Sequence, residues 1–322
     1  MIDGPVVVTG ASGFIGGAVC RFLAERGQDV QAWVRTSGPG YEHDPRIHVV
    51  GDLSGVPEEE LEQRLSGARA VVHLAARVHV LRERAPDALD AFRVSNVLTT
   101  ARLAQAAARA GVPRFIFASS VKVLGDHTDP QRAFRDGDEP APRDPYAQSK
   151  LEAEQALAAV ARETSLAIAI LRPPLVYGPG VGGNFLRLWR AIARGVPLPL
   201  ARVNNRRSLV YVGNVVHAIT KLIDAAEPLR GSWLVADREA LSTPELARHI
   251  AAALGVRARL IPLPSSWMAG AARLTGRQAV WTSLAGSLVV DAEALNARVG
   301  PPPFTLVQGL AATAKWWMEP AR

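Results

Sequence analysis

The sequence predicts an α/β protein in which a doubly wound parallel sheet is followed by a smaller, loop-rich α/β region. Two observations support this fold class. In the first half of the chain, short apolar runs rich in β-branched residues alternate with helical patterns, as expected for strands covered on both faces by helices. After Arg172 glycine and proline become frequent, for example at Pro173–Gly183 and Pro301–Pro303. We therefore expect one domain at 1–172 and a second region at 173–322, with one return of the chain to the sheet.

The apolar runs and the helical patterns place each element in order. Strands are predicted at Val6–Thr9, Val30–Val34, Ile47–Val50, Ala70–Leu74, Arg114–Ser119 and Leu166–Leu171. Helices are predicted at 13–26, 57–66, 87–110 and 145–164, and shorter ones at 185–194, 212–226, 243–254 and 306–318. Asp144 is a suitable N-cap and Pro145 suits the first helical position. Gly27 and Gly111 can end two of the helices.

Composition narrows the functional classes. With 48% hydrophobic and 21% charged residues, the chain is typical of soluble globular proteins. Neither an apolar run of membrane-spanning length nor a secretory signal is predicted, and a single cysteine, Cys20, favours a cytoplasmic protein. The net charge of +7 comes mainly from scattered arginines. That pattern favours an anionic small substrate over nucleic acid.

A glycine-rich turn joins the first strand to the first helix. Its three glycines have the spacing that receives a dinucleotide pyrophosphate: the first permits a tight turn, the second a close approach of the backbone, and the third helix–strand packing. The helix N-terminus adds N–H groups and a positive dipole end. This context predicts a Rossmann-type site. The residues expected to line it are Gly10, Ser12, Gly13, Phe14, Ile15 and Gly16.

The ends of the next strands bear on the choice of cofactor. The second strand lacks the acidic residue that usually binds the ribose of NAD, and Arg35 at its end suits a 2′-phosphate. We therefore expect NADP(H), with NAD(H) possible and an incidental arginine as the alternative. Asp52, next to Leu53, could accept from the adenine amino group or be an ordinary turn residue. The segment Leu74-Ala75-Ala76 follows the fourth strand, at the edge where cofactors lie.

Tyr146 and Lys150 are four residues apart on a predicted helix, so their side chains share a face. A phenol with a pKa of about 10 is a poor base at neutral pH. An ammonium about 4 Å away contributes roughly 4 kcal/mol at an effective dielectric constant of about 20, enough to bring that pKa to about 7. Ser120, after the fifth strand, can hydrogen-bond to the reacting oxygen. We expect Tyr146 to act as an acid/base; a surface helix pair is the alternative.

These motifs resemble those of the extended short-chain dehydrogenases/reductases, in particular the nucleotide-sugar epimerases, dehydratases and 4-ketoreductases. The resemblance covers essentially the whole chain. The matching segments are Thr9–Gly16, His73–Ala76, Ala118–Gly125, Tyr146–Lys150, Leu171–Gly180 and Arg206–Asn214. It implies a catalytic set of Ser120, Tyr146 and Lys150, of which the last two also contact the cofactor. It adds Asn96 and Pro173 to the cofactor site, and it implies substrate contacts by Ser120, Lys122, Asn184 and Arg207.

The substrate residues have simpler alternatives. Asn184 could be the N-cap of a helix that begins at Phe185, and Arg207 could lie in a solvated basic turn with Arg206. The chain also departs from the family. Leu124 stands where relatives often have tyrosine. Thr282 and Ser283 stand where relatives often carry a second diphosphate-binding arginine, with Arg277 nearby.

A finer resemblance favours reductases of UDP-4-keto-(6-deoxy)hexosamines from surface polysaccharide synthesis. The segments that carry it are Arg77–Val80, Asn184–Arg187, Pro197–Leu200 and Asn205–Leu209. One alternative is a UDP-hexose or UDP-N-acetylhexosamine 4-epimerase with tightly bound NAD. Others are a non-catalytic dinucleotide sensor and a steroid or flavonoid reductase. No metal is expected. We also expect a homodimer through the helix around Ala101–Ala110 and the helix of Tyr146.

Overall fold

The computed structural model describes residues 4–38, 44–77, 87–129, 131–276 and 278–319. The strands of these residues are Val6–Thr9 (β1), Val30–Val34 (β2), Ile47–Val49 (β3), Ala70–His73 (β4), Arg114–Ala118 (β5), Ala167–Arg172 (β6), Leu175–Tyr177 (β7), Arg207–Tyr211 (β8), Gly231–Leu234 (β9) and Ala240–Leu241 (β10). The α-helices are Phe14–Glu25 (α1), Glu58–Leu65 (α2), Asp87–Phe92 (α3), Thr99–Arg109 (α4), Pro145–Glu163 (α5), Gly183–Ala193 (α6), Val212–Asp224 (α7), Thr243–Ala253 (α8), Ser265–Leu274 (α9), Gln278–Ala285 (α10), Glu293–Val299 (α11) and Leu306–Met318 (α12).

Seven strands form one parallel sheet in the order β3-β2-β1-β4-β5-β6-β9. This order confirms the predicted doubly wound fold. The six strands predicted from apolar runs all occur, and each boundary lies within one residue of its expected position. The apolar run of β1 is continuous because both of its faces are buried: Val6 and Val8 pack into one core cluster, and Val7 packs into the other.

A second sheet, in the order β10-β8-β7, belongs to the later part of the chain, where β7 and β8 are parallel. The predicted α6, α7, α8 and α12 occur here, whereas β7 to β10, α9, α10 and α11 were not predicted. A third core cluster, which includes Tyr177 and Trp189, fills this region. The chain also returns to the large sheet once, because β9 pairs with β6. A division at residue 172 stays a prediction.

The helix predicted at 87–110 is not one regular helix. A π-helical segment, Arg93–Leu98, lies between α3 and α4. Two threonine hydroxyls bond to backbone carbonyls in this stretch: Thr99 Oγ1 donates to Val94 O and Thr100 Oγ1 to Asn96 O. The segment buries Asn96 almost completely, and π-helical turns are frequent at functional sites. Among the described residues, no helix is both long and apolar enough to cross a bilayer.

Candidate active site

The carboxyl ends of β1, β4 and β5 meet at one edge of the large sheet, because β4 pairs with both neighbours. His73, at the end of β4, is fully buried. Its ring lies 2.6 Å from Thr9 Oγ1 and 2.9 Å from Thr100 Oγ1. Burial, assisted by the nearby charge of Lys150, lowers the pKa of His73 to about 3. His73 is therefore a neutral link between these strand ends and α4.

The glycine-rich turn lies at this edge. Gly10 has a φ of 69°, and a Cβ added there would lie 2.6 Å from Ala75 N. Gly16 packs against the carbonyl of Gly10 too closely for a Cβ. The N-cap of α1 is Gly13, which has no side chain to bond to the N–H groups of the first turn. That turn carries no acidic residue either. The first N–H groups of a helix lack intrahelical partners, so this turn fits the pyrophosphate of a dinucleotide.

The expected adenosine end of the cofactor site is more open. Arg35 is exposed after β2. Asp52 Oδ1 accepts from Ser54 N at 3.0 Å and from Ser54 Oγ at 2.8 Å. Those two bonds, and more weakly the charge of Arg35, hold the pKa of Asp52 below its usual value. Leu53 is buried, and Leu74-Ala75-Ala76 is partly exposed beside the glycine turn.

Two contacts bring Ser120 towards the helix that carries Tyr146. Ser120 caps a short 3₁₀ turn, and its Oγ accepts from Lys122 N at 3.2 Å. Lys122 Nζ donates to Asp144 Oδ2 at 2.5 Å. Asp144 Oδ1 also accepts from the N–H of residue 147 at 2.7 Å, so the predicted N-cap of α5 is confirmed. Lys150 Nζ donates to the carbonyl of residue 118 at 2.7 Å, two residues before Ser120.

Lys150 is 2% exposed, and its Nζ lies 4.4 Å from the centroid of the Phe117 ring. Burial lowers the pKa of Lys150 to about 7, although Glu154 opposes the shift. Burial, with a smaller contribution from the carboxylate of Asp144, raises the pKa of Tyr146 to about 12. The expectation that Lys150 alone brings the pKa of Tyr146 to about 7 is therefore wrong. Desolvation is the largest influence on both groups, and it opposes ionisation of the phenol and of the ammonium.

Asn96 connects this helix to the loop after β4. Its Nδ2 donates to Ser149 Oγ at 3.0 Å, and Ser149 Oγ donates to the carbonyl of Tyr146 at 2.8 Å. Asn96 Oδ1 accepts from Arg77 N at 2.8 Å, and Nδ2 also donates to Arg77 O at 3.2 Å. Asn96 thus fixes two backbone segments beside the expected cofactor, and direct contact with the cofactor stays a prediction.

The later substrate residues lie on the second sheet and its helices. Asn184 is exposed on α6, whose N-cap is Gly182, so the N-cap alternative for Asn184 is wrong. Arg207 lies in β8 and donates through Nη1 to Gly286 O at 2.8 Å. Burial lowers its pKa. The solvated-turn alternative is therefore wrong for Arg207, whereas Arg206 is exposed.

Two contacts join the later region to the first. Pro173 is buried, and its carbonyl accepts from Val121 N at 3.0 Å. A Cβ added to Gly180 would lie 3.5 Å from Phe14 Cδ2, so this loop approaches the glycine turn. Arg277 and residues 78–80 lie outside the described residues. No cluster of three metal-ligating side chains occurs in the described ranges.

The sequence reasoning missed several supporting residues: Thr9, Thr100, Asp144 as the partner of Lys122, and Ser149. Ser149 and Thr9 had a local signal, because they lie inside the matching segments Tyr146–Lys150 and Thr9–Gly16. The contacts of Thr100 and Asp144 become visible only in the fold, since Thr100 is 27 residues from His73 and Asp144 is 22 residues from Lys122.

The parallel sheet and the glycine turn at its edge fit a dinucleotide-dependent enzyme, and Ser120, Tyr146 and Lys150 stay its predicted catalytic set. Residues 6–235 match the NAD dependent epimerase/dehydratase family, and the chain belongs to it. The extended short-chain dehydrogenase/reductase resemblance of its motifs is thereby confirmed.

Individual relatives cover almost the whole chain. The UDP-glucose 4-epimerase of Vibrio cholerae is 35% identical, over 98% of this chain and 95% of that protein. The N-acetyl-alpha-D-glucosaminyl-diphospho-ditrans,octacis-undecaprenol 4-epimerase of Escherichia coli O157:H7 is 27% identical, over 97% and 94%. Among solved structures, MoeE5 in complex with UDP-glucuronic acid and NAD is 28% identical, with a TM-score of 0.76 over 98% of this chain and 99% of that one.

Proposed function

We propose that the protein is a C4 epimerase of a UDP-hexose or UDP-N-acetylhexosamine. The observation that carries the proposal is the buried Lys150, bonded to the strand end that precedes Ser120 and one helical turn from Tyr146. A buried lysine–tyrosine pair beside a pyrophosphate-binding turn suits proton transfer at a carbinol carbon. The Vibrio cholerae relative, a UDP-glucose 4-epimerase, supports the choice of reaction.

A bound NAD-type cofactor would supply the chemistry of accepting and returning a hydride at the sugar carbon. It would be held by the glycine turn, Lys150 and Pro173. Tyr146, as phenolate, would take the proton of the C4 hydroxyl, and Ser120 would hydrogen-bond to the same oxygen. The Lys150 ammonium would stabilise this phenolate, because an opposite charge one helical turn away favours the ionised phenol. The 4-keto sugar would then rotate in the pocket to present its opposite face, and Tyr146 would return the proton to the C4 oxygen.

The diphosphate of the substrate would lie in the region 173–322. Arg207 is a suitable ligand, because a guanidinium binds phosphate oxygens in bidentate fashion and this one is already desolvated. Asn184 would contact the same group from α6. Lys122 would contact the sugar close to Ser120, where Asp144 holds its ammonium.

A second candidate is the 4-ketoreductase of a UDP-4-keto-(6-deoxy)hexosamine, with NADP(H). The observation that favours it is Arg35, exposed at the end of β2 where NAD enzymes usually have an acidic residue. Such an enzyme would use Ser120, Tyr146 and Lys150 in the same positions. The intact catalytic set argues against a non-catalytic dinucleotide sensor.

The purified protein would be incubated with UDP-galactose or UDP-N-acetylgalactosamine, and the products would be separated by chromatography. The epimerase proposal predicts conversion to the C4 epimer, no net change in absorbance at 340 nm, and NAD released in a 1:1 ratio on denaturation. Stoichiometric loss of NADPH absorbance with a UDP-4-keto sugar, without epimerisation, would instead establish the reductase. Binding of NAD with neither reaction would favour the sensor.

We also propose a homodimer through α4 and α5. These helices pack side by side, and Val94 and Leu98, at i and i+4 before α4, are 47% and 57% exposed. A second copy could cover them. Light scattering at micromolar concentration should give twice the mass of one chain, and Leu98→Gln should lower it; a monomeric wild-type protein would exclude this dimer.

A further inference from the structure

One helix of the later region turns an apolar stripe towards solvent. Trp267, Ala271 and Leu274 of α9 are spaced i, i+4 and i+7, so they share a helix face. Trp267 is 71% exposed and Leu274 is 91% exposed. Amphipathic helices in globular proteins ordinarily bury such a stripe against the core. This stripe is therefore available for an interaction outside the chain.

Further exposed apolar residues lie on two paired segments, one of which leads directly into α9. Ile261 N donates to Leu198 O at 2.8 Å, and Leu198 N donates to Arg259 O at 2.8 Å, so 194–202 lies against 256–263. Val196 and Ile261 on these segments are 43% and 40% exposed. We call the surface formed by 194–202, 256–263 and α9 the α9 surface.

The α9 surface is also strongly basic. It lies within two acid-free segments of the chain, 164–223 and 246–290, which contain thirteen of the 37 lysines and arginines. Since the net charge of the whole chain is +7, the remainder is net negative. Five arginines on the surface are exposed, and none forms a salt bridge among the described ion pairs. They are Arg194, Arg202, Arg257, Arg259 and Arg273.

We propose that the α9 surface docks on a lipid bilayer that carries anionic headgroups. The exposed indole, the exposed leucine and the exposed arginines of this surface all suit a bilayer of that kind. The indole of Trp267 suits the headgroup level, Leu274 suits the acyl boundary, and the unpaired arginines suit lipid phosphates. A helix of ten residues is about 15 Å long, so it would lie in the interface without spanning the membrane.

Helix α10 connects the α9 surface to the candidate diphosphate site. Helix α9 packs against α10. Directly after α10, the carbonyl of Gly286 accepts from Arg207 Nη1 and Asn205 Nδ2. Docking would bring this side of the later region to the membrane. The proposal does not depend on the reaction, because neither Trp267 nor Leu274 belongs to the catalytic or substrate sets.

Vesicle co-sedimentation tests the proposal. The full-length protein would be mixed with phosphatidylcholine vesicles, or with vesicles containing about one third phosphatidylglycerol, at about 0.05 M and 0.5 M NaCl. We expect at least about tenfold more bound protein on the anionic vesicles at low salt, with most of it released at high salt. The double variant Trp267→Gln/Leu274→Gln and the double variant Arg257→Gln/Arg259→Gln should each lose most of this binding.

Matched controls come from other exposed positions. Val307→Gln on α12, where the side chain is 62% exposed, and Arg298→Gln on α11 should bind like wild type. Circular dichroism and UDP-sugar turnover would show that the α9 variants are folded. Equal binding to both vesicle types, or wild-type binding by Trp267→Gln/Leu274→Gln, would overturn the proposal. The proposal would also be overturned if the protein bound no vesicles but self-associated, and if only Trp267→Gln/Leu274→Gln were monomeric. That result would assign the α9 surface to a second copy of the chain.

Discussion

Replacing Lys150 by methionine should stabilise the protein at neutral pH while abolishing activity. The pKa of Lys150 falls from 10.5 to about 7 on folding. Since one pKa unit corresponds to about 1.4 kcal/mol, holding this lysine in the folded state costs about 4 kcal/mol at pH 7. Methionine has a similar length and carries no charge. It loses the hydrogen bond to the Ala118 carbonyl and the contact with the Phe117 ring, together worth about 2 kcal/mol.

The difference between the two proteins should depend on pH. Because the folded pKa of Lys150 lies below the unfolded pKa, the unfolded chain binds the extra proton between pH 7 and pH 10.5. The wild-type protein therefore gains stability as the pH rises through this window, and the variant lacks that gain. Lys150→Met should be more stable by about 2 kcal/mol at pH 7, and this advantage should fall by about 2 kcal/mol at pH 9.

Urea unfolding at pH 7, 8 and 9 measures these free energies. Lys315→Met replaces an exposed lysine on α12, and its stability difference from wild type should stay within about 0.5 kcal/mol at each pH. Parallel stability–pH curves for wild type and Lys150→Met would refute the reasoning, since Lys150 would then keep a normal pKa in the folded protein. Loss of stability in the variant at pH 7 would refute it as well.

Three further substitutions test the supporting structure. Gly10→Ala should abolish NAD binding, because its Cβ meets backbone atoms at 2.6–2.9 Å; Gly27→Ala, with a similar φ of 68° and open space, is the matched control by calorimetric titration. Glu154→Gln should lower the unfolding free energy by about 3 kcal/mol in denaturant melts, since it leaves buried Arg172 without its carboxylate partner. Ser149→Ala should lower kcat about tenfold with KM nearly unchanged, because it loosens the catalytic helix backbone. Wild-type values in these assays would contradict the assigned contacts.

The first half of the fold could be predicted because its strands carry their own signal. Val6–Thr9 and Val30–Val34 are apolar except for Thr9 and Gln31, because both faces of the sheet are largely buried at these strands. The later strands lack such a signal. β8 begins with Arg207 and Ser208, and β7 follows two prolines. Neither sequence therefore has the apolar pattern that indicates a buried strand. Helix α9 was missed because its apolar residues include an outward-facing stripe.

The candidate site also has one part that the sequence could predict and one part that it could not. The glycine turn, Ser120 and the Tyr146–Lys150 spacing are local patterns, so the sequence could place them. The electrostatics of the site depend on burial, which is a tertiary property. The pKa of Lys150 falls because the folded chain encloses its ammonium, and the pKa of Tyr146 rises for the same reason. No local pattern around these residues reports that enclosure.

The central claim is that Tyr146 moves a proton at a sugar oxygen while a hydride leaves and returns at C4. A UDP-hexose deuterated at C4 tests it most directly, with the epimer analysed by mass spectrometry and NMR. We predict that the epimer keeps its deuterium at C4 in ordinary water, and that Tyr146→Phe lowers turnover by at least about a hundredfold. Solvent hydrogen at C4 of the product, or wild-type turnover by Tyr146→Phe, would contradict the account.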